Sequence, residues 1–350
     1  MKFTKKLIAV FMTLVMLLSL TAVMASAKKK TVDYTGKSLV VMGDSIAAGF
    51  GLTAGVEDTW MNCITMSHGG FVQDAWPTLV RDAKGFNPET SYNLSRNMWR
   101  TDEFLRLLDP TFAAELNEPE NAFEQYMSDY MMMPNEFCLG LGDTTGLASQ
   151  IRGIVEQADV LVLCTGSNDI MTASIAEPIM IPVYQVFGRQ YALGISAITG
   201  QMGDLATPEE WMKLAIGETT FTDLAGYVRK NMQKYFQNYE RLVDLILEIN
   251  SDVKLYTFGI DHPFQNMEIV PGIPDQLFMP LNDEVIETVR NYMTNESRHK
   301  KQVTYVDMSD IAGYRFDYEA WPLFFYDFIL DVHPMKDDHV KIAQHLMDKM

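Results

Sequence analysis

Three short blocks hold a hydroxyl, an amide and an imidazole in settings where each can do chemistry. An apolar run ends in Gly43-Asp44-Ser45-Ile46-Ala47-Ala48-Gly49. Glycine lets the chain turn sharply, and a serine just past a strand end can stand exposed. The residues after it can start a helix, whose first amides favour a nearby anion. A second apolar run ends in Gly166-Ser167-Asn168-Asp169. Asparagine at a strand exit is a common turn residue, and its amide can also donate to a developing oxyanion. Farther on comes Asp331-Val332-His333-Pro334. His333 is a candidate general base. In extended chain a carboxylate two residues earlier lies on the same side and can fix the ring's tautomer. Each block alone is a weak signal; the order Ser, Asn, Asp, His over three blocks is not a common accident.

The elements that must position these blocks are legible as apolar runs alternating with helical patterns. Residues 38–42, 92–94, 160–164, 253–259 and 303–308 read as buried strands. Residues 76–83, 148–157, 222–249, 283–292 and 336–347 read as helices. Continuous apolar strands alternating with helices predict a parallel sheet covered on both faces. In such sheets the functional residues lie at the carboxyl ends of the strands. Two stretches, near 107–146 and 172–221, break the alternation. They are rich in Met, Pro and aromatics, including Met131-Met132-Met133, and read as insertions packed over the open end of the sheet. Met-rich stretches are usually core filler, with a greasy substrate pocket as the other reading.

The three blocks together resemble those of the SGNH (GDSL) hydrolases, a family of esterases and lipases, over the chain from about Lys37 onward apart from the two insertions. The resemblance implies a flavodoxin-like three-layer α/β/α sandwich with about five parallel strands. It implies Ser45 as nucleophile, Asn168 in the oxyanion hole and His333 as base. The family's second block places a glycine after the second strand, whose N–H joins the oxyanion hole. Aligning Asn93-Leu94-Ser95-Arg96-Asn97-Met98 puts Met98 there. Only the N–H is needed, unless the backbone must take a positive φ, which a bulky residue resists. The family's acid stands three residues before the histidine, where this chain has Leu330. Asp331, or a backbone carbonyl, is then left to orient His333. The expected reaction is hydrolysis of acyl or acetyl esters of lipids or carbohydrates. Ser45 attacks, His333 moves the proton, and the Ser45 N–H, Met98 N–H and Asn168 amide hold the oxyanion. The rival is a secreted binding protein that keeps the fold and has lost catalysis.

Other residues compete for roles. Asp261-His262-Pro263 follows the fourth strand and faces the crevice end; His262, with Asn97, is a candidate substrate-binding residue and a weaker candidate base. His68-Gly69-Gly70 looks like an oxyanion loop of another hydrolase class, but no G-x-S-x-G elbow accompanies it, and it reads as a turn. Asp337-Asp338-His339 opens a helix, where acids complement the dipole. No metal-ligand motif or phosphate loop is present, so neither metal nor organic cofactor is expected.

Composition bounds the rest. With 47% apolar and 21% charged residues, the chain can build a core. The net charge of −18 argues against nucleic acid as a partner. Lys2, Lys5 and Lys6, an apolar run over residues 7–24 and Ala25-Ser26-Ala27 read as a cleaved signal peptide, residues 1–27. Three lysines and no acids leave with it, so −18 becomes −21. The expected product is a secreted single domain, residues 28–350, without stable membrane insertion and acting on a small-molecule, carbohydrate or lipid ester. Three cysteines do not make a disulfide scaffold. Cys164, inside an apolar run, reads as a buried thiol, and a Cys63–Cys138 bridge is left open. The sequence carries no signal for oligomeric state.

Overall fold

The five strands form one parallel sheet in a computed structural model that describes residues 32–49, 52, 70–118, 121, 124–125, 128, 146–174, 220–262, 275–311 and 333–350. In chain order they are β1 (Leu39–Gly43), β2 (Tyr92–Asn93), β3 (Val160–Cys164), β4 (Lys254–Phe258) and β5 (Val303–Val306). Their order across the sheet is β2-β1-β3-β4-β5. This is the flavodoxin-like order, whose reversal lies between β1 and β3, where ligands of open α/β sheets gather. The register sets Gly43 beside Cys164, so the two central strands end level with each other. The expected fold class stands, and every expected strand is present within about two residues of its predicted ends.

The β1 and β3 strands are buried throughout because helices cover both faces. Val40, Met42, Leu161 and Leu163 share one core with residues of α3 (Thr101–Leu108), α5 (Leu147–Glu156) and α6 (Thr220–Ile249). Their alternates Leu39, Val41, Val160 and Val162 point the other way and are equally buried. On that second face lie α2 (Trp76–Lys84) and α8 (Lys336–Lys349), which pack together; Trp76 meets Phe258 of β4 edge to face at 4.8 Å. Between these come α1 (Ser45–Ala48), α4 (Pro110–Glu115) and α7 (Asp275–Asn291). Helix α7 begins eight residues before the expected 283, and α3 and α4 have no counterpart among the expected elements. α3 forms because Phe104, Leu105 and Leu108 make one buried stripe at helical spacing. Of the two Met-rich stretches, 129–145 and 175–219 lie outside the described residues, as do residues 1–31, Cys63, Cys138 and Asp331.

Residues Thr35–Lys349 make one compact unit. A second grouping is Met1–Tyr34 with Met350, within which the Tyr34 hydroxyl donates to the Met350 carbonyl at 3.3 Å.

Candidate active site

Ser45 stands where β1 ends. Gly43 is required there by crowding: a Cβ would fall 2.8 Å from that of Ala47 and 2.9 Å from the Cys164 carbonyl oxygen. Asp44 then turns the chain. Its N–H donates to the Cys164 carbonyl at 3.1 Å, and its carboxylate accepts the Ile46 N–H at 3.0 Å, capping α1. Ser45 follows, half-buried, as the first residue of that helix. Burial raises the Asp44 carboxyl to about 8, and the charges of Asp261 and Asp169 add to the shift against the Ile46 and Ala47 amides.

A second loop reaches the same place from β2. Leu94 N–H donates to Val41 O at 2.8 Å and Arg96 N–H to Gly43 O at 3.1 Å, so the loop zips along the end of β1. Asn93 donates through Nδ2 to the carbonyls of Ala47, at 2.8 Å, and Gly70, at 2.9 Å. The chain next turns over Arg96–Trp99, closed by the Trp99 N–H on Arg96 O at 3.2 Å. Met98 is the third residue of this turn and sits at φ +63°, 40% exposed. The backbone does require the left-handed region, and methionine occupies it at a cost of about 1–2 kcal/mol. Its neighbour Asn97 has a buried Oδ1 without a hydrogen-bond partner.

The third loop leaves β3. Gly166 sits at φ +121°, and a Cβ there would fall 2.9 Å from both Ile260 and Tyr235. Asn168 opens a π-helical turn (Asn168–Thr172) and donates through Nδ2 to the Trp99 carbonyl at 3.2 Å. Asp169 accepts the Thr101 N–H at 3.0 Å and the Thr101 hydroxyl. Two consecutive residues of this loop therefore grip the chain on the far side of Met98. Burial and the Asp102 charge push Asp169 up to about 7, against the Thr101 bonds and the Arg100 charge. Behind the loop lies a buried ionic network that the sequence reading did not find. Arg100 pairs with Glu103 at 2.8 Å, and Asp102 is bonded by Lys234, at 2.9 Å, and by Asn238. Its one sequence signal was the pair of acids at the first turn of a helix, Asp102 and Glu103, after Arg100-Thr101.

The chain is similar to solved structures of lipases. One is a lipase from a goat rumen metagenome, 15% identical, with a TM-score of 0.42 over 89% of this chain and 95% of that one. Another is an extracellular lipase from Streptomyces rimosus, 11% identical, with a TM-score of 0.49 over 90% and 100%. A third is phospholipase A1 from Streptomyces albidoflavus, 10% identical, with a TM-score of 0.48 over 90% and 100%. No family model and no curated protein matches the chain.

The remaining candidates come from β4 and from the approach to α8. Asp261, three residues past β4, is 3% exposed and accepts the Ser167 hydroxyl at 3.3 Å. Burial raises it to about 6, while Ser167 and the charges of His333 and His262 favour the carboxylate. His262 is buried. Its N–H donates to Ile311 O at 3.0 Å and its Nε2 meets Asp283 of α7 at 2.9 Å; its Nδ1 is buried without a hydrogen-bond partner. His333, three residues before α8, is half-buried, and its charge acts on both Asp261 and His339. His339 is fully buried and accepts the Trp76 N–H on Nδ1 at 3.2 Å. Burial, helped by the His333 charge, lowers it to about 4, so it is a neutral strut between α8 and α2. Cys164 is a buried free thiol that burial pushes up, with Asp44 and Asp261 adding to the effect.

Proposed function

We propose that this protein hydrolyses carboxylic esters by acyl transfer to Ser45. One observation carries the reading. Met98 is held at φ +63°, in the position where a bulky residue resists it, by a loop bonded to Gly43 on one side and gripped by Asn168 on the other. Strain of this kind persists where the surroundings over-determine it, typically at functional sites. Here it bears on the peptide that would offer its N–H beside the serine.

In this mechanism His333 takes the Oγ proton as Ser45 attacks the ester carbonyl. The Ser45 and Met98 amides and the Asn168 side chain hold the tetrahedral oxyanion. His333 then protonates the leaving alcohol, and water repeats the cycle on the acyl-enzyme. Asn97 and His262 each keep a buried polar atom without a partner, Oδ1 and Nδ1, which makes them candidates to bind substrate. The substrates are acyl or acetyl esters of lipids or carbohydrates. Residues 1–27 act as a secretion signal, and residues 28–350 work as one extracellular domain.

The test is hydrolysis of p-nitrophenyl esters, from acetate to a long acyl chain, with Ser45→Ala as control. Turnover lost in the variant supports a serine esterase, and the preferred chain length sorts lipid from acetyl-carbohydrate substrates. Turnover that survives Ser45→Ala rejects the mechanism. Mass spectrometry of exported protein should find Lys28 as the first residue.

A further inference from the structure

We propose that Asp261, at the exit of β4, is the carboxylate that orients His333 and answers its positive charge. The inference rests on the serine esterase reading and deepens it. The family resemblance leads one to expect that carboxylate three residues before the histidine, where this sequence has Leu330.

The argument begins with where Asp261 is fixed. β4 is the neighbour of β3 in the sheet, so its exit lies beside the loop that carries Asn168. The Ser167 hydroxyl, one residue before Asn168, holds Asp261 Oδ1 at 3.3 Å. On the other side, Gly259 N–H donates to Val306 O at 2.9 Å and His262 N–H to Ile311 O at 3.0 Å. The backbone on either side of Asp261 is thus set by the sheet edge, and its carboxylate by the loop that follows β3. An orienting group must be held more rigidly than the ring it orients.

The second step concerns charge. A carboxylate that is 3% exposed costs several kcal/mol unless a cation answers it. The charges that favour it are those of His333 and His262. His262 already meets a carboxylate of its own, Asp283 at 2.9 Å. That leaves the His333 ring, once it takes a proton, as the partner for Asp261. The other titratable groups acting here are Asp44 at the end of β1, Cys164 in β3 and, against His333, His339 of α8, which burial keeps neutral. Asp44, raised to about 8, holds its proton at neutral pH, and the Cys164 thiol is neutral too. Asp261, raised only to about 6, is then the anion of the group, facing a ring that gains a proton during each half-reaction.

The experiment compares Asp261→Asn, Asp261→Glu, Ser167→Ala and Ser45→Ala with the wild type in p-nitrophenyl ester hydrolysis across pH. Asp261→Asn should lower kcat by about 10²-fold or more with KM little changed. The acid limb of its kcat/KM profile should move to lower pH, because loss of the anion disfavours the imidazolium. Asp261→Glu should recover part of the rate, and Ser167→Ala should cost severalfold. Near-normal kcat in Asp261→Asn overturns the proposal. So does a loss seen only in KM or thermal stability with the acid limb unmoved, since that is a structural role. Turnover that persists in Ser45→Ala is a different failure: it removes the esterase mechanism, and this inference with it.

Discussion

Asp102 and Glu103 in the helical layer, and Asp44 and Asp261 at the carboxyl end of the sheet, are all buried carboxylates, yet the molecule neutralises the two pairs differently. The first pair meets permanent cations. Arg100 lies on Glu103 at 2.8 Å and Lys234 on Asp102 at 2.9 Å, and against the pull of burial their charges keep Asp102 below its ordinary value. The second pair meets hydrogen-bond donors and histidines, and burial lifts Asp44 to about 8 and Asp261 to about 6. Asp102, held between Lys234 and Arg100, keeps its charge and is scaffold, although burial still raises its neighbour Glu103 against the Arg100 charge. A carboxylate that faces amides, hydroxyls and imidazoles can change its protonation near neutrality. That second environment is where acid–base chemistry can be run.

Variants on the two sides should separate rate from stability, and the largest effect belongs to the histidine side. His333→Ala should lower kcat on the order of 10⁴-fold or more while the fold remains, measured by ester turnover beside thermal unfolding. Retained turnover would move the base elsewhere. Asn168→Ala should cost about 10²–10³-fold in kcat by removing one oxyanion donor. Arg100→Met probes the scaffold side. It strands Glu103 in the interior and should cost about 3–5 kcal/mol in urea unfolding, with kcat per folded molecule within severalfold of wild type. A rate loss without a stability loss there would erase the contrast between the two regions.

The pH dependence of stability sharpens the same contrast. The folded state binds the Asp44 proton more tightly than the unfolded chain, since its value rises from the ordinary 3.8 to about 8. Its contribution is therefore full below pH 4 and is lost as pH rises through 8. Asp44→Asn keeps the α1 cap and should flatten the fall of Tm between pH 5 and 8 relative to wild type. An unchanged slope would mean that Asp44 is charged in the folded protein. The smallest effect is at Met98. Met98→Gly relieves the left-handed backbone but loosens the unfolded chain, so stability should change by no more than about 1 kcal/mol. Turnover should stay within severalfold, while Met98→Val should lower both.

Much of this arrangement was legible in the residues, for reasons that also mark what was not. β1 and β3 read as strands because both faces of each are buried, and the blocks after them were found because chemistry restricts which residues may follow. The alignment that placed Met98 in the second block did so on condition that its backbone needed no positive φ, and the structure finds φ +63° there. Helix α3 escaped because Arg100-Thr101-Asp102-Glu103 looks like a solvated stretch. Its burial depends on Lys234 and Asn238 of α6, more than a hundred residues away. Asp261 was given no role of its own within Asp261-His262-Pro263, because its bond to Ser167 is a product of strand order. The engagement of His262 by Asp283 is hidden likewise: it joins a strand exit to the middle of a helix.

The neutral strut made by His339 has a consequence for when the site comes into being. Ser45 opens α1, directly after the first strand of the sheet in chain order, whereas His333 precedes α8, the helix that His339 ties to the backbone of Trp76. Synthesis runs from the amino end. The nascent chain thus carries Ser45 through most of its synthesis without His333, and the segment that brings His333 is anchored only when α8 docks.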